Sequence, residues 1–93
     1  MILSYKDDDT ERLHKTGKSR RYNAILRVAL RKLDMIDAAT TVETLRVPPG
    51  NHLEKLEGDK EGTWSIRIND QWRICFKWEG SNAFEVEIVD YHH

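Results

Sequence analysis

Three runs of alternating apolar residues in the last third of the chain restrict its fold more than any other feature. Trp64, Ile66 and Ile68 alternate with Ser65, Arg67 and Asn69; Trp72, Ile74, Phe76 and Trp78 alternate with Arg73, Cys75 and Lys77; Phe84, Val86 and Ile88 alternate with Glu85 and Glu87. Successive side chains of a strand point to opposite faces, so this period of two predicts strands with one buried face. The short joins "NDQ" and "EGSN" make the three strands an antiparallel meander. On this parity the three tryptophans belong to the core. Arg73 and Cys75 face the other way, with Cys75 a small packing residue. "HLEKLEGDKEG" supplies a further strand ending in a Gly-rich turn.

Upstream the period changes. "MILSYK" reads as a first strand, broken by "DDDT", with Asp9 or Thr10 capping a short helix over "TERLHK". Ser19 is the expected cap of the clearest helix, in which Tyr22, Ile25, Leu26, Ala29, Leu33 and Ile36 recur at the spacing of one apolar stripe. Arg20, Arg21, Arg27, Arg31 and Lys32 fall mostly off that stripe, which predicts an exposed basic face. A short helix over "TVETLRV", capped by Thr40 or Thr41, ends at "PPGN", because proline cannot continue the hydrogen-bond ladder. The order strand, helices, strands predicts an α+β domain with the helices packed on one face of the sheet.

A chain of 93 residues is expected to form one domain, residues 1–93. The single Cys75 excludes an intramolecular disulfide framework and fits a reducing compartment. With neither a signal-peptide pattern nor an apolar span, a cytoplasmic protein is expected, without a membrane partner. His14, His52, His92 and His93 offer no pair at i, i+4 spacing, so no metal site is predicted, and no glycine loop suited to phosphates points to a nucleotide cofactor. Net charge is −1, but unevenly spread: Arg12, Lys15, Lys18, Arg20, Arg21, Arg27, Arg31 and Lys32 lie in a stretch free of acids, while residues 79–93 hold four acids and no lysine or arginine. Such a basic stretch either binds phosphates or an acidic partner, or is a solvated helix face.

From residue 53 to 92 the sequence "LEKLEGDKEGTWSIRINDQWRICFKW", with the ending "VEIVDYH", resembles the HigB (host-inhibition-of-growth) branch of the RelE-like toxins of type II toxin–antitoxin systems. The similarity rests on the "L-x-G-D" turn, the "W-S-I-R-I-N-D-Q-W-R-I" hairpin and the terminal "D-Y-H", and total length also fits. It implies a RelE-like fold with two N-terminal helices on a mainly antiparallel, twisted sheet. It further implies a metal-independent, cofactor-free endoribonuclease that cuts mRNA in the ribosomal A site. The implied partners are the ribosome with its mRNA and a HigA-like helix-turn-helix antitoxin, which connects the toxin to operator DNA only indirectly. Two other readings keep the fold: a ParE-like toxin that binds DNA gyrase, and a module that binds its antitoxin with little catalysis.

RNA cleavage without a metal needs a base for the 2′-OH, a cation for the phosphorane and an acid for the leaving 5′-oxygen. Spacing alone favours cross-strand pairing of Arg73 with Glu85 or Glu87; the resemblance instead makes Arg73 the cation. It also makes His92 the proton-transfer group, Tyr91 a donor or base-stacking ring, and Asp90 an orienting carboxylate. Some HigB toxins carry His and Lys where this chain has Glu54 and Glu57; extra negative charge there implies modest activity. Glu54 can serve as the general base instead, with His52 and Lys55 as alternative local suppliers. Arg67, of the same parity as Arg73, either pairs across the sheet or contacts RNA, and Lys55 joins the helix cations as an RNA or ribosome contact. His93 is given no role.

Overall fold

In the computed structural model, which describes residues 1–58 and 62–91, the alternating runs become three strands of one sheet. They are β2 (Thr63–Arg67), β3 (Trp72–Glu79) and β4 (Asn82–Asp90), preceded by the two-residue β1 (Glu54–Lys55). Neighbours in the order β1-β2-β3-β4 are all antiparallel. Asn69 shapes the β2–β3 connection: its side-chain oxygen accepts from the amides of Gln71 (2.9 Å) and Trp72 (2.8 Å), the local bonding that makes asparagine a turn residue. The N-terminal segment adds parallel bridges from Ile2 to Ala83 and from Tyr5 to Val86, in place of the regular first strand expected for "MILSYK".

One irregularity changes which residues face the core. Cys75 pairs with Glu87 and Lys77 with Phe84, so Phe76 alone faces both Glu85 and Val86. Glu85 is the extra residue and has a left-handed φ of 50°. The bulge reverses the alternation of β4 on its N-terminal side. Ala83, Val86 and Ile88 are buried in the core, whereas Phe84 is half-buried beside Lys77 on the opposite face. The expected inward run of Phe84, Val86 and Ile88 is thus corrected at its first member.

Two α-helices accompany the sheet, α1 (Asp8–Thr16) and α2 (Leu26–Ala38). Asp7 caps α1, rather than Asp9 or Thr10, accepting the Thr10 amide at 2.7 Å. Thr10 is freed to receive the Ile88 amide on its hydroxyl at 3.1 Å, which ties α1 to β4. Ser19 accepts the Tyr22 amide at 2.9 Å in the turn leading to the 3-10 segment Asn23–Ile25, and it caps neither that segment nor α2, whose cap positions, Tyr22 and Ile25, carry no side-chain bond. "TVETLRV" forms a 3-10 segment, Val42–Arg46, with no capping side chain, and a second 3-10 turn, Pro49–Asn51, follows a cis Val47–Pro48 bond.

Leu13, Tyr22, Ile25, Ala29, Leu33 and Ile36 share one apolar cluster with Ile66, Ile68, Ile74, Phe76, Ala83, Val86 and Ile88. Burying each large side chain contributes roughly 1.5–3 kcal/mol. Trp64, Trp72 and Trp78 are half-buried around its margin, with Trp72 edge-on to Tyr22 at 5.5 Å. Among the described residues no helix is long and apolar enough to cross a membrane.

Candidate active site

Strand register gathers the site. Arg67 on β2 lies directly opposite Arg73 on β3, Arg73 lies opposite Val89 on β4, and Glu54 on β1 lies opposite Ser65 on β2. Paired residues share a face, so Glu54, Ser65, Arg67 and Arg73 emerge on the side away from Ile66 and Ile74. Tyr91, two residues beyond Val89, continues that parity, and its amide is fixed to the Gln71 carbonyl at 2.6 Å. Glu54, Arg67, Asn69, Asp70, Arg73 and Tyr91 line an open cleft of about 320 Å³.

Arg73 is only 8% exposed, far less than a phosphate-gripping surface arginine would be. Its expected pairing partners are engaged elsewhere, Glu85 with Lys77 (3.0 Å) and Glu87 with Lys6 (3.5 Å). Arg73 instead donates from Nε to Ser65 Oγ (2.9 Å) and from Nη2 to the His52 carbonyl (2.6 Å). Glu54 places a carboxylate oxygen 3.9 Å from Nη2, and the Tyr91 ring centre lies 5.7 Å from the guanidinium carbon. Nη1 carries no hydrogen bond among the described residues. Two arginines facing each other across a ladder repel. Here Arg67 is relieved by an ion pair with Asp70, and Arg73 by Glu54. Among the described residues the cleft therefore holds two cations, each with a carboxylate beside it.

Tyr91 titrates above its ordinary value, chiefly because burial disfavours the phenolate; nearby Cys75 and Glu54 push the same way and the Arg73 cation opposes them. At neutral pH it is a phenol. It can donate a hydrogen bond or stack on a base, but it is not a base itself.

Several expected site residues lie elsewhere. Asp90 pairs with Trp72 in the ladder, the parity opposite to Arg73, and its side chain accepts from Gln71 at 3.3 Å. Lys55 pairs with Trp64, again opposite to Glu54, and its ammonium sits 5.6 Å from the Trp64 ring centre. His92 and His93 lie outside the described residues. Among the helix cations, Lys32 is a correction: it is buried, with its ammonium hydrogen-bonded to Asn51 Oδ1, and burial lowers its pKa, helped by Arg31 and Arg67. Arg21 pairs with Asp9 at 3.2 Å and lies over the Tyr22 ring. Arg20, Arg27 and Arg31 are exposed with no ion pair among the described residues, and Arg27 and Arg31 flank Leu30 and Met35 on α2.

Ser65, the His52 carbonyl, Asn69 and Asp70 are site components that the sequence reading missed. For Ser65 a signal existed: a small polar residue of the same parity as Arg67, in a strand otherwise rich in large side chains. The His52 carbonyl left none, since a backbone acceptor depends on the turn that aims it.

A family model described as "RelE-like toxin of type II toxin-antitoxin system HigB" matches residues 3–92. Toxin HigB-1 of Vibrio cholerae is 41% identical to the chain over 80 residues, covering 84% of each sequence. Endoribonuclease HigB of Proteus vulgaris is 38% identical over 61 residues, which is 66% of this chain and 65% of that one. Among solved structures, a YoeB/ParE toxin from Agrobacterium tumefaciens aligns over 99% of this chain and 98% of its own with a TM-score of 0.53. At 22% identity that likeness shows the fold alone: α+β, with two helices and a four-stranded antiparallel sheet.

Proposed function

The chain belongs to the HigB-like toxins of type II toxin–antitoxin systems and has their endoribonuclease activity; from that premise we propose that the Arg73 cleft cleaves mRNA on the translating ribosome without a metal. Type II toxins work against an antitoxin, and we take the partner to be a HigA-like helix-turn-helix protein that links this toxin to operator DNA. Residues 1–93 act as one cytoplasmic domain. The helices cover one face of the sheet and leave the Arg73 face to RNA.

The observation that carries this reading is the state of Arg73. A cleft-lining cation held on two nitrogens, with no hydrogen bond on the third among the described residues, is suited to charge that grows during reaction. As the 2′-oxygen attacks, the phosphorane gains negative charge, and Arg73 with Arg67 meets it without reorganising. Glu54, 3.9 Å from Arg73 and half-exposed, takes the 2′-OH proton. Tyr91 stacks on a base or donates its phenol proton in a hydrogen bond. His92, one residue on, delivers a proton to the leaving 5′-oxygen. Exposed Arg20, Arg27 and Arg31 add a sequence-independent attraction to rRNA phosphates.

Purified chain incubated with translating ribosomes, the message then mapped by primer extension, tests the proposal. Cuts within the A-site codon, absent with Arg73→Ala, are expected. Equal cleavage by both proteins would remove Arg73 from the chemistry. Cleavage of naked mRNA at the same rate would remove the ribosome, and DNA breaks with intact mRNA would favour gyrase as target.

A further inference from the structure

Arg73 is aimed by groups standing behind it. Ser65 is fully buried and lies opposite Glu54 on one side and Cys75 on the other, in the middle of the sheet face. Its hydroxyl takes the Nε–H of Arg73 at 2.9 Å. The second strut is the His52 carbonyl, 2.6 Å from Nη2. His52 has a left-handed φ of 44°, which sets the direction of the chain where it enters β1. Just before it, Asn51 is fully buried and fixed at both ends of its amide: Nδ2 donates to the Leu45 carbonyl at 3.0 Å, and Oδ1 receives the Lys32 ammonium from α2.

A guanidinium is planar. Once Nε and Nη2 are each fixed, the direction of Nη1 is fixed too. We propose that Ser65 is a positioning residue for Arg73, holding Nη1 toward the scissile phosphate, with the His52 carbonyl as a second strut anchored through Asn51 to Lys32. This rests on the reading of Arg73 as the cation for phosphodiester cleavage. Ser65 itself touches no substrate. Its loss leaves the charge in place but lets the fork rotate, which weakens transition-state contact more than ground-state attraction.

The test measures kcat and KM of the purified full-length chain on mRNA-programmed ribosomes for wild type, Ser65→Ala, Ser65→Thr and Arg73→Ala. Ser65→Ala is expected to lower kcat by about 10²-fold, the scale of a misplaced catalytic group, with KM little changed. Ser65→Thr keeps the acceptor and should restore most of the loss. Wild-type kcat in Ser65→Ala beside an inactive Arg73→Ala overturns the positioning role and leaves the cleavage reading standing. Losses in the Ala and Thr variants that merely track their folded fraction by circular dichroism also overturn it. An inactive wild type sinks the cleavage reading, and the positioning role with it. If Ser65→Ala does not fold, Ser65→Cys, with similar volume and a weak acceptor, takes its place under the same expectations.

Discussion

Arg73 in the sheet and Arg27 with Arg31 on α2 carry the same charge in opposite surroundings. Arg73 is 8% exposed, bonded through two nitrogens and 3.9 Å from a carboxylate. Arg27 and Arg31 are exposed, without an ion pair among the described residues. An ordered, partly desolvated cation has already lost its rotamer entropy and much of its water, so its interaction with new charge is strong and directional. A solvated one attracts phosphates at a distance but is screened by salt and has no fixed aim. The basic segment is the more conspicuous in sequence, yet the buried Arg73 is suited to chemistry.

The comparison predicts a graded set of outcomes. Arg73→Ala should reduce kcat by about 10³-fold, the scale of losing a preorganised donor to a transition-state charge. Arg73→Lys should restore little, because an ammonium cannot satisfy Ser65 and His52 together and still reach the cleft. Next, Glu54→Gln should reduce kcat by about 10²-fold, since the amide keeps the shape but cannot take a proton. Full activity in that variant would pass the base role to another group.

The helix charges should act on binding. Charge reversal at Arg27 and Arg31 together should weaken ribosome association on the order of tenfold at low salt, the difference shrinking as salt rises. Co-sedimentation at two ionic strengths checks this, and an unchanged profile would leave that face merely solvated. The smallest effect concerns Lys32. Burial holds its pKa below the ordinary lysine value, with Arg31 and Arg67 adding to the effect. Between its folded and unfolded pKa, the unfolded chain binds more protons, so stability rises with pH across that window. Below the window the penalty of the buried charge is present in full. The stability of wild type relative to Lys32→Met should therefore increase as pH rises through the alkaline range, read from urea midpoints; a flat difference would contradict it.

How far the molecule was legible follows from where each residue's partners lie in the chain. The β2–β3 hairpin and the apolar stripe of α2 were readable because periodicity encodes which face is buried. Lys32 was readable as well: it stands three residues after Ala29 and four before Ile36, on the buried stripe, but its charge argued it outward. Phe84 was not, since nothing in "NAFEVEI" announces that Glu85 adopts a left-handed conformation and reverses the alternation before it. For the site, parity placed Arg73 and Arg67 together on the face away from the core, and the resemblance supplied the role of Arg73 and pointed to Glu54. The depth of Arg73 was hidden, because it depends on a backbone carbonyl of residue 52 and a hydroxyl of residue 65 brought together only in the folded sheet. Asp90 pairs with Trp72, on the other parity from Tyr91, so ladder position alone does not bring it to the Arg73 face.

The central claim is that the buried arginine does chemistry while the exposed ones only attract. Steady-state cleavage of mRNA on translating ribosomes by wild type, Arg73→Ala and the Arg27→Glu/Arg31→Glu double variant tests it most directly. The account predicts that Arg73→Ala loses kcat with KM nearly unchanged, whereas the double variant raises KM and keeps kcat. A loss confined to KM in Arg73→Ala, or a loss of kcat in the double variant equal to that of Arg73→Ala, would contradict it.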